Sequence, residues 1–172
     1  MSVQFWNVTE AEIGTDYPAH RHAIDPYRTY LRAVDVAAPA AVVFRWLCQL
    51  KVAPYSYDWV DNGGRRSPRE LTPGAEQLAT GQQMMIFQLV DFQLDRQITL
   101  VALPAATRWF GPLALTYQVT DRPAGSRLVC CLDVTAKSWP ERVRRKFLAA
   151  GDLVMMRKQL LTFKELAERT PR

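Results

Sequence analysis

The alternation of apolar and polar positions changes period twice along the chain, and these changes divide it into elements. Residues 1 to 27 carry scattered Gly, Pro, His and Asp with weak periodicity, which predicts an irregular N-terminal arm with room for one short helix or strand. "YRTYLRAVDVAAP" (27–39) mixes β-branched and aromatic residues and stops at Pro39, which predicts a first strand running into a helix. In "APAAVVFRWLCQL" (38–50) Val43, Phe44, Leu47 and Leu50 recur at helical spacing, with Pro39 at the start, where its missing N–H does no harm. "YSYDWVDNGGRRSPRELTPG" (55–74) follows: one or two helical turns, a stop at the Gly pair, then loop.

From residue 81 the period becomes two. "QQMMIFQLVDFQLD" (82–95) predicts one long strand, bulged where the alternation is imperfect, and "QITLVAL" (97–103) a second. "PAATRWFGP" (104–112) predicts a short strand or a broad loop. "LALTYQVTD" (113–121) turns Leu113, Leu115, Tyr117 and Val119 one way. "SRLVCCLDVTAK" (126–137) does the same with Leu128, Cys130, Leu132 and Val134.

The period then returns to helical over 138–169. Ser138 and Glu141 have capping-box spacing, and Val143, Phe147, Ala150, Val154 and Leu161 form a stripe that Leu153, Met156, Leu160 and Phe163 broaden. Gly151 interrupts this stretch at about 1 kcal/mol relative to Ala, which points to close packing, a kink or a gap beside a ligand.

Composition narrows the class. The chain has 172 residues, 48% hydrophobic and 23% charged, enough for one globular domain with a sizeable core. The net charge of +5 permits anionic partners without requiring them. Three cysteines, two of them adjacent, do not form a disulfide framework, and neighbouring Cys130 and Cys131 should face opposite sides of a strand. No apolar run approaches the roughly 20 residues of a membrane span, and the first residues lack the pattern of a secretory signal. The expectation is a reduced, cytoplasmic protein without stable membrane insertion, monomeric or homodimeric.

The element order predicts an α+β fold: a curved antiparallel β-sheet wrapped around a long C-terminal helix, with short helices after the first strand. "VDVAAPAAVVFRWL", the strand pairs "GQQMMIFQLVDF…ITLVAL" and "LALTYQVTD…GSRLVCCLDV", and the helix "GDLVMMRKQLLTFKELAE" resemble the START/SRPBCC superfamily. This is the helix-grip family of polyketide cyclase/dehydrase and lipid-transport-like proteins. "YSYDWVDNGGRRSPREL" is similar to a segment in a bacterial branch of it. The resemblance implies a single ligand-binding domain over 28–169 after the 1–27 arm. It also implies an elongated apolar cavity between sheet and terminal helix, with the first helices and their loops at its mouth. Its members bind lipids, sterols, polyketides or plant hormones, and a minority catalyse cyclisation or dehydration.

On that reading Tyr55, Tyr57 and Trp59 offer flat apolar faces with one polar atom each to a ring-bearing ligand; otherwise they plug the helix–sheet junction. Asp58 and Asp61 are the candidate catalytic bases, or else cap a turn or pair with an arginine. Arg66, with Arg65 and Arg69, can hold a carboxylate or phosphate, or lie solvated with a surface partner such as Glu70. Met85, Phe87, Met156 and Leu160 belong to the pocket or to an ordinary core. Tyr117, on an apolar face, requires a partner for its hydroxyl: ligand, water or neighbour. Arg157 shares a stripe with Ala150, Val154 and Leu161 and so is a candidate to face inward, against the default of a snorkelling surface arginine.

The sequence shows no phosphate loop, nucleophile elbow or His-Glu-x-x-His helix. His20 and His22, with no Cys or further His nearby in the sequence, do not make a zinc site, and the reading includes no metal and no cofactor. "RVRRK" (142–146) has no interleaved aromatics and acidic residues beyond it, so a solvated face is expected rather than nucleic-acid binding. The functional expectation is binding of a small hydrophobic or amphipathic ligand, with a cyclase/dehydratase-type enzyme in the same cavity as the alternative.

Overall fold

A computed structural model describes residues 4–56, 66–135 and 155–171. A curved seven-stranded sheet holds β1 (Phe5–Trp6), β2 (Tyr27–Val36), β3 (Gln83–Met84), β4 (Phe87–Gln93), β5 (Gln97–Ala102), β6 (Leu113–Arg122) and β7 (Gly125–Thr135). Their spatial order is β1-β2-β7-β6-β5-β4-β3. Among the described residues only β1 and β2 run parallel; every other pairing is antiparallel. The helices are α1 (Glu10–Ile13), α2 (Ala40–Cys48), α3 (Pro104–Phe110) and a terminal helix over 155–169, with 3-10 turns at Pro18–Arg21 and Gln49–Lys51. This is the α+β arrangement that the period changes predict.

Strand parity decides which side chains meet. Leu115, Tyr117 and Val119 of β6 and Leu128, Cys130, Leu132 and Val134 of β7 bury into one cluster with α2 and with Leu160, Phe163, Leu166 and Ala167 of the terminal helix. The opposite parity builds a second cluster on the convex face, where Leu31, Ala33, Ala114, Val129 and Cys131 lie beneath Tyr17 and Ala19. Cys130 and Cys131 do face opposite sides. Gly125 permits the tight β6–β7 turn: φ is +141°, and a Cβ there would stand 2.1 Å from the Val36 carbonyl oxygen.

The structure differs from the sequence pattern at several points. The expected single strand over 82–95 is two, because Met85 takes φ +58° and turns the chain between β3 and β4; the bulge lies between Leu89 and Asp91. The stretch 104–112 is neither strand nor broad loop but α3, with Pro104 in its first turn and Gly111 at its end. The arm is more ordered than expected. Its β1 extends the sheet, and Thr9 and Glu12 form a capping box on α1. The Ser138–Glu141 pair, Gly151 and the 142–146 run lie outside the described residues.

The arm is fastened chiefly by Arg127. Its Nε donates to Glu12 Oε1 at 2.8 Å and Nη2 to Oε2 at 2.9 Å. Nη2 also donates to the Asn7 carbonyl at 2.5 Å, and Nη1 to Asp35 Oδ2 at 3.1 Å. A planar guanidinium and a carboxylate matched at two points make a directional clamp. Burial pushes the Glu12 carboxyl up, but the Arg127 and Thr9 hydrogen bonds and the Arg127 charge outweigh it and hold it below its ordinary value.

Candidate functional site: the concave face of the sheet

Among the apolar side chains of the concave face a short polar chain joins three elements. Tyr117 of β6, 1% exposed, donates its hydroxyl to Gln159 Oε1 on the terminal helix. Gln159 Nε2 in turn donates to the Pro54 carbonyl at 2.5 Å. Met156, one turn earlier, places its sulfur 3.8 Å from the same hydroxyl. A buried amide joined at both ends satisfies groups that would be costly to desolvate unpaired, and it fixes the helix against the sheet in one register.

Arg32 adds a charge to this face. It shares the parity of Tyr30 and Val34 and is 1% exposed. Its Nη1 donates to the Gln4 carbonyl at 2.8 Å and the Leu31 carbonyl at 2.9 Å, and the guanidinium stands 5.8 Å from the Tyr30 ring centre. Neither Arg32 nor Gln159 was singled out by the sequence pattern. Arg32 had a legible signal, its place in the Tyr30–Val34 alternation; Gln159 had none, since a glutamine between Lys158 and Leu160 reads as surface.

Six of the expected ligand-binding residues come together here. Tyr55, Tyr117 and Leu160 are buried within the concave cluster, and Met85, Phe87 and Met156 pack half-buried against it. Tyr55 holds φ +56°, an uncommon conformation for an aromatic residue. Its ring lies 5.5 Å from Phe163 and 6.0 Å from Trp46.

Two expected residues point elsewhere. Arg66 is exposed. Arg157 is exposed as well, its guanidinium 5.1 Å from the Trp6 ring centre, so the inward orientation is wrong. The reason is the helix's rotation. Its buried side carries Gln159, Leu160, Phe163, Leu166 and Ala167, whereas Leu161, expected on the inner stripe with Arg157, is 39% exposed. Arg69 pairs at 3.0 Å with Glu165 of the terminal helix rather than with Glu70. Tyr57, Asp58, Trp59, Asp61 and Arg65 lie outside the described residues.

Two surface cavities have walls of described residues, and both lie away from Tyr117. One of about 350 Å³ opens between Val36, Gly125 and Lys164, and one of about 360 Å³ runs along Leu161, Glu165 and Arg169.

The fold also makes a polar cluster on the convex face that sequence distance conceals. His20 Nδ1 stands 2.7 Å from Asp133 Oδ2, and Thr29 Oγ1 donates to Asp133 Oδ1 at 2.6 Å. Cys131 lies beside them, and donor atoms of His20, Cys131 and Asp133 fall within 4.8 Å of one another. His20 therefore has a cysteine neighbour after all, 111 positions along the chain. His22 is exposed.

No family model matches the sequence, and no curated protein matches it. Solved structures do. Protein MLL2253 from Mesorhizobium loti is similar at a TM-score of 0.57 and 13% identity, over 84% of this chain and 100% of that one. The di-domain ARO/CYC protein BexL from the BE-7585A biosynthetic pathway gives 0.53 and 17%, over 84% of this chain and 51% of that one. The di-domain ARO/CYC protein StfQ from the steffimycin biosynthetic pathway gives 0.54 and 14%, over 87% and 53%. This chain thus spans about half of each di-domain protein. At such identities the likeness establishes architecture alone: the chain shares with these structures the helix-grip fold, a curved sheet packed against a C-terminal helix.

Proposed function

We propose that this protein binds a small hydrophobic or amphipathic ligand, of lipid or aromatic polyketide type, on the concave face between the sheet and the terminal helix. The observation that carries the reading is the Tyr117–Gln159 pair set into an apolar wall and bordered by half-buried Met85, Phe87 and Met156. Apolar walls supply affinity in proportion to the area removed from water, at about 25 cal/mol per Å². The few fixed polar groups orient the guest. Methionines at the border repack around ligands of uneven shape. Arg32 places a positive charge on the same face, which favours a guest with a polar or acidic end.

The test is thermal unfolding across a panel of fatty acids, phospholipids and aromatic polyketides, with native mass spectrometry of protein recovered from cells. At least one class should raise the midpoint, and Gln159→Leu should reduce that rise. Protein that is recovered empty and does not respond to any class would overturn the proposal.

A cyclase or dehydratase acting at the same face is the second reading, favoured by the Tyr117 hydroxyl, which on exchanging its Gln159 acceptor for a ligand carbonyl would donate to that oxygen as negative charge develops on it. Loss of water from an aromatic polyketide, measured by mass and abolished in Tyr117→Phe, would support it over binding alone.

A further inference from the structure

We propose that His20, Cys131 and Asp133 form a binding site for a divalent transition metal of the zinc class on the convex face, opposite the ligand-binding face. Three chemically different donors converge there: an imidazole nitrogen, a thiol sulfur and a carboxylate oxygen, all within 4.8 Å of one another. Nitrogen, sulfur and oxygen donors together suit a borderline-soft ion such as Zn²⁺ or Co²⁺ and not the hard ions Mg²⁺ or Ca²⁺, which take oxygen alone. Three protein donors leave a fourth tetrahedral position for water.

The scaffold is suited to hold them. Cys131 and Asp133 are two apart on β7, so both point to the convex side, and both are buried at 1% exposure or less. His20 comes from the 3-10 turn of the arm and keeps 21% of its side chain exposed, which leaves a way in from solvent. Thr29, paired across the strands with Asp133, donates to Oδ1 and leaves Oδ2 aimed at His20. A hydroxyl that orients a ligating carboxylate is a common support in metal sites. Tyr17 and Tyr27 flank the imidazole at 5.9 and 6.0 Å between ring centres and limit its rotation.

The contact between His20 Nδ1 and Asp133 Oδ2 at 2.7 Å is one that a proton bridges in the metal-free protein. An ion takes that proton's place. The displaced proton passes through solvent to Nε2, so that neutral His20 would present the Nδ1 lone pair and the Asp133 carboxylate Oδ2, and the Cys131 thiol would release one proton to solvent as the metal–sulfur bond forms. Burial and the Asp133 charge push the Cys131 thiol well above its ordinary value. A dication beside the sulfur would favour the thiolate.

The experiment is a titration of the EDTA-treated full chain with Co²⁺, followed by competition with Zn²⁺. The expected result is a thiolate-to-cobalt charge-transfer band that saturates at one equivalent, disappears on adding Zn²⁺ and is absent in Cys131→Ser. Zn²⁺ should also raise the melting midpoint of the native sequence but not of His20→Ala, whose partly exposed position makes misfolding a lesser concern. Cys130→Ser should keep the band. Absence of the band, its survival in Cys131→Ser, or a Zn²⁺ shift retained in His20→Ala would overturn the site.

Discussion

At the scale of single residues, the most consequential one is Gln159. It is the one described side chain of the terminal helix that hydrogen-bonds both the sheet, through Tyr117, and the loop after α2, through Pro54. Gln159→Leu preserves size but leaves the Pro54 carbonyl without its amide and the Tyr117 hydroxyl without this acceptor. We expect a loss of about 1–3 kcal/mol in urea unfolding. Tyr117→Phe should cost less in the Gln159→Leu background than in the native one, a coupling that a double-mutant cycle reads directly. Such a residue is hard to read from sequence, because its polarity marks it as surface and only the helix's rotation puts it inside. Tyr117 was legible, since strict alternation in β6 commits it to the apolar side. The partnership of His20 with Asp133 was not, because 113 positions separate them and no local pattern links them.

At the scale of elements, α2 shows how the sheet completes a helix. Its cap residue is Pro39, which offers no side-chain acceptor, and Asp121 at the far end of β6 accepts from the Ala40 N–H at 3.0 Å instead. Asp121→Ala should cost about 0.5–2 kcal/mol, as loss of a local cap does, while Asp121→Asn retains most of it; chemical unfolding of the pair distinguishes the two.

The α1 arm makes a second prediction. The folded Glu12 carboxyl lies below its unfolded value of 4.5, so its contribution is fully present above that pH and disappears as pH falls through the lower folded value. The native protein should exceed Glu12→Gln in stability near neutrality, and the gap should close in acid below about 4.5, as read by unfolding at a series of pH values. Elements themselves were read unevenly from sequence. β6 and β7 followed their alternation closely. The β3–β4 reversal depends on a left-handed methionine, and methionine carries no turn signal. α3 is a single short helix too brief to show a period, and its Trp109 is 77% exposed, so no apolar stripe announced it.

At the scale of the whole molecule, the two faces of the sheet have different occupants. The concave face holds α2 and the terminal helix, and the convex face holds the arm. Among the described residues no helix is long and apolar enough to cross a membrane. If the concave face binds the ligand and the convex face the metal, the two sites should be thermodynamically separable. Saturating Zn²⁺ should leave the ligand-induced rise in melting midpoint unchanged, and a large change would show that β7, which contributes to both faces, couples them.

The arm's second cluster bears on where this chain can be cut. A boundary placed at Tyr27, where alternation first becomes regular, would look like trimming a loose tail. It would in fact strip the cover from Leu31, Ala33, Ala114, Val129 and Cys131 and take Glu12 and Asn7 from the Arg127 guanidinium, leaving it Asp35. A shortened version beginning at residue 27 should therefore be recovered mainly in inclusion bodies, or as clumped material on a sizing column, while the intact chain stays dispersed.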